Sequence, residues 1–138
     1  MSSVIDHFLE YVKIDTQSCE ELAETKCPTT DKQYDLAHKL LTDLKAMGLP
    51  ENEITFDEEH CYIYAGIPAT PGCEQAPKLG FISHMDTSPA VSDTNVQPRL
   101  VHHYDGSIIL LNAELGIDLD PAEFPELNRY IGKTLIVT

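Results

Sequence analysis

No stretch of this chain approaches the roughly 18 consecutive apolar residues that a membrane-spanning helix needs, although 42% of its residues are hydrophobic. The opening residues, Met1-Ser-Ser-Val-Ile-Asp6, lack a basic region ahead of an apolar one, so no secretory signal is read there. Positive charge is scarce: 9 Lys and Arg stand against 23 Asp and Glu, a formal charge of −14. Such a surface repels nucleic-acid phosphates and anionic membranes, and neither is expected as a partner. Cysteine is sparse and unpatterned. Cys19, Cys27, Cys61 and Cys73 contain no Cys-x-x-Cys, which argues against a Cys-based zinc site. Without a secretory signal they read as free thiols, and the expected compartment is the cytoplasm. Also missing are a glycine-rich phosphate cradle and a nucleophile elbow with its Ser/His/Asp set.

What remains is a chain of 138 residues with an ordinary globular composition, long enough for one domain with a real core. No repeat, low-complexity tract or linker interrupts it. Ser3 is placed to cap a first helix, on which Val4, Ile5, Phe8, Leu9 and Val12 share a face. Asp15 to Ser18 ends that helix in a polar loop, and the acidic stretch around Glu20, Glu21 and Glu24 reads as solvated. Thr30-Asp-Lys-Gln33 has the form of a capping box. The helix expected after it carries Ala37, Leu40, Leu41, Leu44 and Met47 on one stripe, with Gly48 placed to end it.

Glu53 to Asp57 and Cys61 to Ile67 alternate with the period of two expected of strands, around a tight acidic turn. Pro68 to Pro77 reads as loop, and the short apolar run Leu79 to Ile82 as a buried central strand. Thr87 to Gly106 carries loop signals, and a long loop beside a site is often functional. Ser107 to Leu111 reads as a strand. Asp120 is placed to cap a helix starting at Pro121, which Pro125 should interrupt. Thr134 to Val137 reads as another buried strand. A parallel strand needs helices on both faces, and nothing follows this one, so the pattern suggests a truncated α/β domain.

The focus is His84 and Asp86, two positions apart where the central strand should end. In extended geometry their side chains point to the same side. An imidazole that binds a metal commonly has a carboxylate behind it that fixes its tautomer. The carboxyl end of a central strand is also where α/β sheets bind ligands. A lone His-x-Asp nevertheless occurs often by chance, and the plain alternative is a structural histidine beside a turn-forming aspartate. Other pairs are weaker. His102 and His103 are adjacent and would face opposite ways on a strand, while capping accounts for Asp120 and exposure for Asp118.

Gly80-Phe-Ile-Ser-His84-Met85-Asp86-Thr87-Ser88-Pro89 resembles the signature of the peptidase T family, tripeptide aminopeptidases among the zinc-dependent exopeptidases. The resemblance continues in Phe8-Leu-Glu-Tyr-Val12 with Asp15-Thr16-Gln17-Ser18, in Pro28-Thr-Thr30, and in Met47-Gly48-Leu49. It extends through Asn95-Val96-x-Pro98, Phe124-Pro125 and Gly132-Lys-Thr-Leu-Ile136, covering essentially the whole chain.

This resemblance implies that His84 is a ligand to one of two zinc ions and that Asp86 holds its ring. It implies tripeptides as substrates and a glutamate as general base. That base and the remaining ligands match nothing in this sequence. The expectation is therefore an α/β chain, residues 1–138, forming the N-terminal portion of an α/β/α catalytic domain with a mixed, partly parallel sheet. Alone it should be inactive, with self-association expected where the strand at 134–138 is uncovered. The alternatives are another dipeptidase or acylamino acid hydrolase of the same broad family, or a metal-free binding domain derived from one. Thr-Ser-Pro after Asp86 and the Asn-Val-x-Pro favour the tripeptidase.

Overall fold

The computed structural model describes residues 3–138. They fall into two compact units, one running to Asn95 and the other spanning Val96–Thr138.

The first unit opens with α1, Val4–Tyr11. Ser3 Oγ accepts from the Asp6 N–H at 3.2 Å while the Asp6 carboxylate accepts from the Ser3 N–H at 2.7 Å. Two backbone donors left orphaned by helix geometry are thereby satisfied. The second helix, α2, spans Gln33–Ala46. It begins without the expected capping box: Lys32 sits at its N-cap with helical dihedrals and no side-chain cap. The Thr30 hydroxyl donates instead to the Gln17 carbonyl at 2.7 Å, so a tertiary bond has displaced the local one. At the other end Gly48 takes φ +92°, the left-handed conformation that lets the chain turn away.

Strands β1 (Ile54–Asp57) and β2 (Tyr62–Ala65) form an antiparallel hairpin in which Phe56 pairs with Ile63. Asp57 closes its turn by accepting from the Glu59 and His60 N–H groups. The hairpin packs on α2, where Leu36 and Ala37 are buried and Tyr34 and His38 meet the Phe56 ring edge-on.

The run Leu79–Ile82 is not a strand. Its apolar side chains are open to solvent, Phe81 being 90% exposed. In this unit β1 and β2 pair only with each other, so the run has neither a ladder partner nor the cover that a parallel strand requires.

In the second unit β3 (Arg99–Val101) pairs antiparallel with β6 (Leu135–Val137), and β4 (Ile109–Asn112) with β5 (Ile117–Leu119). Tyr104, Ile109 and Val137 form the buried centre, with Val101, Leu111, Leu119, Leu127 and Leu135 against it. The strand expected at the chain's end exists, but its partner is antiparallel and Val137 is buried. The long loop also contains β3, whose three residues are too short for a periodic signal. Asp120 does not start a helix. Its carboxylate accepts from the Ala122 N–H at 2.8 Å in a turn, and Pro125–Tyr130 forms a 3₁₀ helix.

The architecture among the described residues is thus a small α/β chain with three two-stranded antiparallel sheets. The parallel contact is a single bridge, Gln17 to Thr87. No described helix is long and apolar enough to cross a membrane.

Candidate functional site

His84 and Asp86 lie in irregular chain after the exposed apolar run. The His84 Nδ1 is 2.8 Å from the Asp86 carbonyl oxygen and 3.2 Å from its carboxylate Oδ1. A carbonyl oxygen and an ionised carboxylate can only accept, so Nδ1 carries a hydrogen, and in the neutral ring the lone pair lies on Nε2. The His84 side chain is 85% exposed, leaving Nε2 open to an incoming group. Main chain and side chain of one residue thus hold the ring from the same side.

The chain after Asp86 is tied to a distant segment. The Thr87 N–H donates to the Thr16 carbonyl at 3.3 Å, and the Ser18 N–H donates to the Thr87 carbonyl at 3.0 Å. That carbonyl also accepts from the Ser18 hydroxyl at 2.9 Å. Asp93 Oδ2 accepts from the Thr16 N–H at 2.9 Å and from the Thr87 hydroxyl. The Gln17 side-chain amide reaches the Val91 carbonyl at 2.9 Å. Thr16 is 2% exposed, so these are interior bonds at that end. Beside them Lys32 pairs with Asp15 at 2.7 Å, which holds the Asp15 carboxyl below its ordinary range.

Sequence reading placed Thr16 to Ser18 in a polar loop and overlooked Asp93. The hint was a run of hydroxyl residues in each of two segments, but pairing across about seventy positions leaves no periodic mark.

An open cleft of about 1010 Å³ lies in the same unit, bounded by α2, β2 and residues 81–86. His84 and Asp86 line it together with Leu40, Ile63, Tyr62 and Phe81. A polar imidazole on a largely apolar wall is the usual composition of a small-molecule site.

The other candidates do not join this group. His102 Nδ1 lies 3.4 Å from the Thr134 hydroxyl, and His103 stands at a turn with φ +50°. Asp118 is on β5, and Asp120 caps the turn described above. The four cysteines are free thiols, Cys61 buried. Among the described residues no three His, Cys, Asp or Glu side chains are grouped to hold a metal ion. The His84 imidazole, with one nitrogen held and the other free, fits a single position in a metal's coordination shell, while a zinc site takes three or four protein ligands.

No family model matches the chain. Among curated proteins it is 52% identical over 138 residues to a protein named peptidase T from Desulfitobacterium hafniense (strain Y51), covering all of this chain and 32% of that protein. It is 44% identical over 139 residues to peptidase T from Alkaliphilus oremlandii, covering all of this chain and 33% of the relative. With peptidase T from Clostridium acetobutylicum the identity is 47% over 138 residues, again all of this chain and 32% of the relative. The chain spans about a third of the length of these curated relatives. From its first residue to its last, this sequence is similar to peptidase T, matching about a third of that protein's extent.

Proposed function

We propose that this chain is part of a zinc-dependent aminopeptidase that removes the N-terminal residue from tripeptides, and that its contribution to the metal centre is His84. The observation that carries the reading is the His84 ring held at Nδ1 by Asp86 with Nε2 open, inside a sequence similar to peptidase T throughout. His84 would bind zinc through Nε2. Asp86 would orient the ring and, by its negative charge, make it a stronger donor. Zinc bound there would supply Lewis-acid polarisation of the peptide carbonyl and lower the pKa of a bound water toward about 7. The cleft beside His84 is roomy enough for a short peptide and would hold the substrate against the apolar faces of Tyr62 and Phe81. We place the protein in the cytoplasm, without nucleic-acid or membrane partners.

One ligand is too few for a working centre, so the 138-residue chain is expected to show no tripeptide hydrolysis even with excess zinc. A colorimetric assay of released amino acid checks this. Turnover in the ordinary enzyme range, about 1 to 1,000 per second, would mean that a complete site lies within these residues.

The same proposal accounts for the exposed run. Leu79, Phe81 and Ile82 would be interior in a longer polypeptide, and open to solvent they are an aggregation liability. Sedimentation of the 138-residue chain should show association rising with concentration, and Phe81→Ser should reduce it. Monodisperse monomer at all concentrations would sink the expectation.

A further inference from the structure

We propose that Thr16, Ser18, Thr87 and Asp93 form a clamp that fixes the ring tautomer of His84 through the single peptide group joining Asp86 to Thr87. This rests on the reading of His84 as a metal ligand only for its biological use; the clamp itself is a statement about hydrogen bonds.

The Asp86 carbonyl and the Thr87 N–H belong to one rigid plane, so fixing one end fixes the direction of the other. On the far side the Thr87 N–H donates to the Thr16 carbonyl. On the near side the Asp86 carbonyl accepts from His84 Nδ1 at 2.8 Å, nearer than the Asp86 carboxylate at 3.2 Å. The plane is therefore a lever between a buried threonine and an exposed imidazole.

Four more bonds hold the Thr87 end of it in place. The Thr87 carbonyl is gripped by both the N–H and the hydroxyl of Ser18. The Thr87 hydroxyl is held by Asp93 Oδ2, and the same oxygen holds the Thr16 N–H, locking the two segments in register. Asp93 is thus shared by both sides of the clamp.

The need for such a device follows from exposure. A ring 85% open to water gains little from packing, so its tautomer depends on what Nδ1 meets. The carboxylate alone, on a rotatable side chain, would be a loose guide. A main-chain carbonyl in a pinned plane is a stiff one. These four are positioning residues, acting on His84 through the backbone and touching no substrate. The design also divides labour within one residue: the Asp86 carbonyl sets the tautomer and its carboxylate adds charge.

The test uses the 138-residue chain without metal, with ¹⁵N-labelled histidine. At about pH 9, above the usual imidazole range near 6.5, ring nitrogen shifts report which nitrogen carries the hydrogen. The unmodified chain should show His84 as the Nδ1–H tautomer and slow exchange of the Thr87 amide. Thr87→Val and Asp93→Ala should each shift the tautomer ratio toward Nε2–H by about fivefold, the worth of roughly one net hydrogen bond, and speed that exchange. Thr87→Ser keeps the hydroxyl and should keep the Nδ1–H form. Both positions lie outside helices and strands, so α2 and the β1–β2 hairpin should keep their amide shifts and report intact folding.

An unchanged tautomer in both Thr87→Val and Asp93→Ala overturns the clamp. So does a Thr87→Ser variant as impaired as Thr87→Val, because then bulk rather than the hydroxyl matters. The metal reading fails separately: a longer polypeptide that binds zinc equally well without His84 would end it and leave the tautomer result standing.

Discussion

In the longer polypeptide of which this sequence is proposed to be a part, His84→Ala abolishes tripeptide hydrolysis and empties or greatly weakens one zinc position. Alanine removes the donor nitrogen outright, and among the described residues no group of three or more His, Cys, Asp or Glu side chains is placed to hold the metal in its stead. Asp86→Asn behaves differently. Asparagine keeps the side chain's shape and an acceptor oxygen, and the main-chain carbonyl that holds Nδ1 at 2.8 Å is untouched. The tautomer therefore survives, and the loss is confined to the negative charge behind the ring. Losses of this kind run about 10- to 100-fold in metal affinity or activity, and the retained carbonyl places this one toward the lower figure. Metal content and turnover measured together, at limiting and at saturating zinc, separate the two variants. Full zinc occupancy in His84→Ala would remove the metal assignment. Unaltered affinity and turnover in Asp86→Asn would reduce its carboxylate to a loop feature.

The features legible in the sequence are those encoded within a few positions of the residue concerned. Ser3 and Asp6 satisfy each other three residues apart, Gly48 ends α2 because a left-handed dihedral is cheapest for glycine, and Phe56 and Ile63 carry the alternation of a hairpin. His84 and Asp86 meet because they are two residues apart. Features depending on distant partners were not legible. Thr30 has every local qualification for a cap, yet Gln17 claims its hydroxyl. Leu79 to Ile82 has the composition of a buried strand, but composition cannot supply a neighbouring ladder, and the run stands exposed. The hold on Thr87 was invisible for the same reason, since Thr16 and Asp93 reach it from opposite sides of the sequence. Similarity to peptidase T identified the segment 15–18 as characteristic without saying what it does. The hydrogen bonds supply a physical role.

Asp43→Ala should cost the first unit about 2 kcal/mol of stability, because it removes a carboxylate hydrogen-bonded to both helices. Asp43 is 7% exposed on α2, and its carboxylate accepts from the Tyr11 hydroxyl and from the Lys39 ammonium, each at 2.8 Å. His7 Nδ1 stands 3.5 Å away, and Lys39 reaches on to Glu10 at 2.8 Å, so Asp43 and Lys39 together fasten α1 to α2. Alanine takes away the Tyr11 hydroxyl's acceptor on α2 and leaves it only His7 Nδ1, 3.2 Å away on its own helix. Lys39 retains Glu10 and suffers less. Asp43→Asn keeps an acceptor and should lose only about 1 kcal/mol.

The pH dependence follows from the same contacts. The Lys39 ammonium, then the Tyr11 hydroxyl, hold the Asp43 carboxyl below its ordinary range against the opposing effect of burial. A depressed folded value contributes stability that is present above the unfolded value, about 3.9, and is lost as pH falls through the folded one. Burial first, and then the hydrogen bond to Asp43, push the Tyr11 hydroxyl up to about 12. Its contribution is complete below the unfolded value of about 10 and disappears as pH rises through that raised one. Between these limits the network is fully formed, and below them the difference between the parent chain and Asp43→Asn should shrink toward zero. Urea unfolding at pH 7 and at about pH 3 measures both effects. A destabilisation under about 0.5 kcal/mol for Asp43→Ala at pH 7, within the range of ordinary surface changes, would show that the Asp43 carboxylate does not hold α1 to α2.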